Sequence, residues 1–149
     1  MSGGDENAAA VTDRLTRGTA RMFEDLGDAV VTEFPLPNGR RADVVALGDD
    51  STLTLVEVKS GVPDFRADAK WPDYLDFCDR FYFAVDPGFP RDRLPDDTVC
   101  GVIVTDAFEA AVVREAPTRR LSAARRKAVI RRFARVAARR LRALTDPRL

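Results

Sequence analysis

Asp43, Glu57 and Lys59 are the residues of this chain whose types and spacing could do chemistry together. Glu57 and Lys59 stand two apart in an apolar run, so on a strand they share one face. The runs 41–47 and 53–59 flank Gly48-Asp49-Asp50-Ser51-Thr52, which reads as a hairpin turn. With an odd loop centred on Asp50, Leu47 faces Leu53, Val45 faces Leu55, and Asp43 faces Glu57. Opposed residues have β-carbons roughly 4.5–5.5 Å apart. Two carboxylates that close repel unless a cation lies between them, and a divalent metal with a lysine beside it makes a phosphodiesterase site. A two-residue Asp49-Asp50 turn would instead pair Asp43 with Val56 and send it to the other face. Asp-Asp suits the positive φ of such a turn poorly, which favours the odd loop.

Composition narrows the chemistry. With no histidine among 149 residues, histidine catalysis and histidine metal ligation are excluded, and a metal must be held by oxygen, as Mg²⁺ or Mn²⁺ is. Cys78 and Cys100 lie in apolar surroundings without metal-type spacing and read as core thiols in a reducing cytoplasm. No apolar run is long enough for a membrane span, and the N-terminus has no secretory h-region. The zero net charge hides a segregation: residues 119–149 hold 12 Lys+Arg and one acid, for +11, and the other 118 residues carry −11. That block is either a polyanion-binding surface, with Arg131, Arg132, Arg135 and Arg139 as DNA contacts, or a solvated helix face in an arginine-rich chain. Only three lysines occur against 21 arginines, and one is Lys59, where a compact ammonium differs from a guanidinium fork.

The elements that must position these residues follow from periodicity. Residues 1–10 read as a disordered tail and 11–149 as a single domain. Thr12 to Leu26 reads as a helix with Thr12 as N-cap and Gly27 as stop. Strands are expected over 29–34, 41–48, 52–59, 81–85, 99–105 and 110–115, with short helical turns at 64–69 and from Pro72 to Phe77. The strands 41–48 and 52–59 are apolar on both faces and belong inside a covered sheet. Residues 121–144 read as one long amphipathic helix with Val129, Phe133, Val136, Ala137, Leu141 and Leu144 inward. The order predicts an α/β or α+β fold: a mixed sheet flanked by helices, with a long basic C-terminal helix.

Arg41-Ala42-Asp43 followed by Glu57-Val58-Lys59 resembles the core motif of the PD-(D/E)XK nuclease superfamily. More specifically, the run from Gly39-Arg40-Arg41-Ala42-Asp43 through Val56-Glu57-Val58-Lys59-Ser60, Asp64 to Asp68, Lys70 to Tyr74 and Cys78 to Val85 resembles the MmcB family of bacterial DNA repair proteins. The resemblance implies a restriction-endonuclease-like fold and a cytoplasmic DNA repair role, with Mg²⁺ or Mn²⁺ held by Asp43, Glu57 and the Val58 carbonyl. Lys59 would orient or activate water. The implied partners are DNA, a second copy of the chain and other repair proteins, with no membrane. Related nucleases carry a glutamate on the first helix, where this chain has Gly18, and Glu24 lies near the helix end. Glu33 substitutes as a metal ligand if the 36–40 loop is odd and centred on Asn38, since it then opposes Asp43. An Asn38-Gly39 two-residue turn, which Asn-Gly strongly favours, would instead pair Glu33 with Val44 and spoil that row. Ser60, Lys70 and Tyr74 are further candidate DNA contacts, with packing the alternative for Tyr74 and for Trp71. Three functions remain open: a metal-dependent nuclease, a non-catalytic DNA-binding module on the same fold, and a protein-interaction module.

Overall fold

A computed structural model describes residues 7–67 and 70–148. The chain runs α1 (Ala8–Asp25), β1 (Ala29–Pro35), β2 (Arg41–Leu47), β3 (Leu53–Lys59), α2 (Val62–Ala67), a 3-10 segment (Trp71–Phe77) and β4 (Arg80–Val85). After a 3-10 turn at Arg91–Arg93 come β5 (Gly101–Thr105), β6 (Ala110–Arg114) and α3 (Ala123–Thr145). The expected α+β fold is what forms: six strands in the order β1-β2-β3-β4-β5-β6 make one sheet, with helices on both faces. The β3–β4 and β4–β5 pairs are parallel and the other three antiparallel.

Every residue of β3 is buried, which is what a strand apolar on both faces requires. Leu15 and Phe23 of α1 pack with Val44, Ala46, Val56, Val58 and Tyr82 on one side of the sheet. Val129 and Phe133 of α3 pack with Phe34, Val45, Leu55, Phe81 and Phe83 on the other. Leu141 and Leu144, expected inward, are 60% and 81% exposed, because Arg140 already reaches edge strand β1 and the helix beyond it has no sheet to cover. Trp71 and Tyr74 also join this second layer, both stacked on Phe81. Cys78 and Cys100 are buried free thiols, as expected.

The first helix starts earlier than its apolar stripe predicts. Asn7, not Thr12, is the N-cap, its side chain accepting from the Ala10 N–H at 2.8 Å. The Ala8-Ala9-Ala10 run has high helix propensity and carries the helix back into the expected tail. Residues 1–6 of that tail lie outside the described residues. The helix ends as expected at Gly27, which takes φ +95°.

Both hairpins resolve as odd loops, the first against the two-residue turn that Asn38-Gly39 favours, and for one reason. In each, a single residue takes the left-handed conformation that closes a three-residue connection. In the first it is Gly39 (φ +84°), with the Leu36 N–H donating to the Arg40 carbonyl at 2.8 Å. In the second it is Ser51 (φ +70°), with the Gly48 N–H donating to the Thr52 carbonyl at 3.0 Å. The registers follow: Val31 opposes Val45 and Phe34 opposes Ala42, while Leu47 opposes Leu53 and Val45 opposes Leu55.

Candidate active site

Asp43 sits where both strand ladders of β2 break. The β2–β3 pairing stops at Val44 opposite Val56. One residue further, the Asp43 N–H donates to Glu57 Oε1 at 3.1 Å, and Asp43 Oδ2 accepts the Val58 N–H at 2.8 Å. Carboxylates thus replace backbone partners and are locked in place by them. On the other side, the β1–β2 pairing skips from Thr32–Val44 to Phe34–Ala42. The skipped residue is Glu33, whose φ of +47° is left-handed and costly for a side-chain-bearing residue. Its carbonyl accepts from the Arg140 guanidinium of α3 at 2.6 Å, and that guanidinium also donates to the Thr32 carbonyl.

The electrostatics of the site are those of buried charge. Glu57 and Lys59 are each only 5% exposed, and Asp43 is half-buried. Burial pushes the Asp43 carboxyl up to about 6, against the Val58 N–H and the Lys59 charge, with Asp64 and Glu33 adding repulsion. A cation would relieve that cost.

A cavity of about 600 Å³ opens at Asp43, walled by Thr32 and Glu33 on the strand side and by Thr12, Asp13, Thr16, Arg17, Ala20, Arg21 and Glu24 of α1. Gly18, the aligned position for a helix glutamate, points elsewhere. A β-carbon there would lie 2.2 Å from Thr105 Oγ1 and 3.1 Å from the Ala107 backbone, so no larger side chain fits. Glu24, set aside as too near the helix end, does line the cavity. Asp13 and Arg17 line it too and were not singled out from the sequence. The available signal was their spacing with Arg21 and Glu24 at three to four residues, which marks one helix face.

The other expected contacts separate. Ser60 donates through both its N–H and its hydroxyl to Asp64 Oδ2, at 3.0 and 3.2 Å, which ties the loop after β3 to α2. Tyr74 is buried, with its hydroxyl on the Arg41 carbonyl at 3.2 Å, and this corrects its reading as a DNA contact in favour of packing. Lys70 is exposed. On α3, Arg132 turns to the Pro35 carbonyl at 3.5 Å, whereas Arg131, Arg135 and Arg139 are exposed. Among the described residues no group of three His, Cys, Asp or Glu is placed to hold a metal ion, and no helix is long and apolar enough to cross a membrane.

A family model described as DNA repair protein MmcB-like matches residues 2–148. Among solved structures, the SPO1766 protein of unknown function from Silicibacter pomeroyi is 45% identical, with a TM-score of 0.86 over 96% of this chain and 94% of that one. None of the curated proteins matches. With the match running over nearly its whole length, this chain belongs to the MmcB-like family of DNA repair proteins.

Proposed function

We propose that the chain is a Mg²⁺- or Mn²⁺-dependent phosphodiesterase of PD-(D/E)XK type that cleaves DNA at damaged or branched sites. The observation that carries this reading is the opposition of Asp43 and Glu57 at the break in the β2–β3 ladder, with Lys59 two residues further along β3. The donor set suits such an ion. It is all oxygen, and Mg²⁺ takes only one or two protein carboxylates, filling its other positions with water and substrate phosphate. Asp43 and Glu57 would hold it, with the Val58 carbonyl and Glu33 as further donors. When bound, the ion would polarise a phosphate oxygen and acidify its water.

The chain's own groups do the rest. The backbone N–H groups of Val58 and Asp43 pin the two carboxylates before substrate arrives, so little reorganisation is needed. Lys59, nearly shut off from solvent, would offset the negative charge that grows on the phosphoryl group, and a low local dielectric would strengthen that effect. Burial raises the Asp43 carboxyl in the metal-free protein, and a bound cation would favour its ionised form.

A second reading, a DNA-binding repair module without catalysis, is favoured by the absence of a three-carboxylate group among the described residues and by the closed position at Gly18. Cleavage of labelled single-stranded, duplex and branched DNA with Mg²⁺ or Mn²⁺ separates the two. The phosphodiesterase requires cutting that disappears in Asp43→Asn and Lys59→Met while DNA binding persists. Binding without cutting on every substrate, alike in the variants, would leave the non-catalytic module.

A further inference from the structure

Two sets among the cations of α3 have different tasks, and Arg142 stands apart in a pair with Asp146. One set holds the helix to the body. Arg126 grips Asp79 with both terminal nitrogens at 2.6 Å and donates to the Ser51 carbonyl, and Arg125 lies 4.9 Å over the Phe77 ring. Arg132 reaches Pro35, and Arg140 reaches Thr32 and Glu33. These anchors trace a path. The helix starts beside the β2–β3 turn, crosses the sheet over Phe34, and leaves past edge strand β1 at the Glu33 irregularity.

The second set is Lys127, Arg131, Arg135 and Arg139. They are spaced by four and therefore fall on one ridge of the helix, with successive members about 6 Å apart along the axis and the row about 18 Å long. All four are exposed, on a face separate from the buried Val129 and Phe133. From Ala123 to Thr145 the helix has no acidic residue to neutralise them. Anchoring the helix needs the first set alone, so the second needs another explanation. An unbroken cationic row matches the regular charge of a polyanion backbone better than it matches a folded protein surface of mixed sign.

We infer that Lys127, Arg131, Arg135 and Arg139 form a phosphate-tracking row that leads a DNA strand across α3 to the β1 edge, around which lies the cavity at Asp43 on the α1 face of the sheet. The inference rests on the proposed reading only in taking DNA as the partner. The row sets orientation rather than sequence choice, because phosphate contacts carry no base information.

The test is binding of fluorescein-labelled single-stranded and duplex oligodeoxynucleotides in EDTA, by anisotropy over a range of salt concentrations. Arg131→Gln/Arg135→Gln is compared with Arg91→Gln/Arg93→Gln, an equal loss of exposed charge elsewhere on the surface. The row predicts weaker binding in the first pair only, with the slope of log affinity against log salt reduced by about 1.4–1.8. Equal effects in both pairs, or none in either, would overturn it. Since EDTA removes any cleavage, the row can stand where the phosphodiesterase fails, and the reverse. Thermal melting confirms that both pairs remain folded.

Discussion

The Asp43 N–H donates to the Glu57 carboxylate across the β2–β3 pair, and the Asp43 carboxylate accepts the next N–H along, that of Val58. Each acid accepts a backbone N–H, which lends the site rigidity. The arrangement also has a stability consequence, because a carboxyl held near pH 6 resists ionisation.

That consequence can be read in the metal-free protein. The Asp43 carboxyl is raised in the folded state above its ordinary 3.8, so the folded protein keeps its proton to higher pH than the unfolded chain does. Stability from this group is therefore full below about pH 4 and is lost as pH rises to about 6. Asp43→Asn retains an oxygen acceptor for the Val58 N–H and carries no charge. We expect urea unfolding in EDTA at pH 7 to show the variant more stable by about 1–3 kcal/mol, with the advantage gone near pH 4. An advantage that does not vary with pH would refute the assignment.

Lys59 should not tolerate arginine. Its side chain is only 5% exposed in a wholly buried strand, and a guanidinium is both larger and differently shaped. Lys59→Arg is expected to cost about 1–3 kcal/mol by overpacking and to restore none of the cleavage lost in Lys59→Met. Urea unfolding and the cleavage assay together check this.

Asp79 is the anchor of α3. Burial alone would raise its carboxyl, but the Arg126 guanidinium and the Leu53 and Leu121 N–H groups outweigh that and hold it below the usual range. Its contribution is present above the unfolded carboxylate pKa and is lost as pH falls through the lower folded value. Asp79→Ala strands Arg126 and two N–H groups, and a loss of about 3–5 kcal/mol is expected in chemical unfolding at pH 7.

Gly18→Ala should destabilise, although alanine is ordinarily the better helix former by about 1 kcal/mol. The new methyl would meet Thr105 Oγ1 at 2.2 Å. Thr105 Oγ1 is buried without a hydrogen-bond partner among the described residues, so Thr105→Ala removes the obstacle without breaking a bond between them. Partial recovery in the double variant, measured by thermal melting, is the expected pattern.

Ser51→Gly should stabilise by up to about 1 kcal/mol, because Ser51 holds a left-handed φ of +70° that glycine adopts freely. The carbonyl that accepts from Arg126 is backbone and survives the change. A shift of the urea midpoint is the readout.

The sequence by itself determined the strands, their burial and the family resemblance, and it favoured the odd loop that opposes Asp43 to Glu57. Side-chain alternation and loop parity are local properties, and the apolar runs of β2 and β3 leave one face-preserving register. Three features needed the tertiary structure. The parity of the Asn38 loop places Glu33 opposite Asp43, yet Glu33 is turned out of the ladder at a site gripped by Arg140, 107 residues along the chain. Gly18 looks like a vacant catalytic position until the close approach of Thr105 and Ala107 shows that it is a packing position. The arginines of α3 are alike in sequence, and only the bodies they meet, Asp79, Pro35 and Glu33, separate those that hold the helix from those left facing solvent. Long-range contact decides such roles, because one flexible cationic side chain serves either purpose equally well.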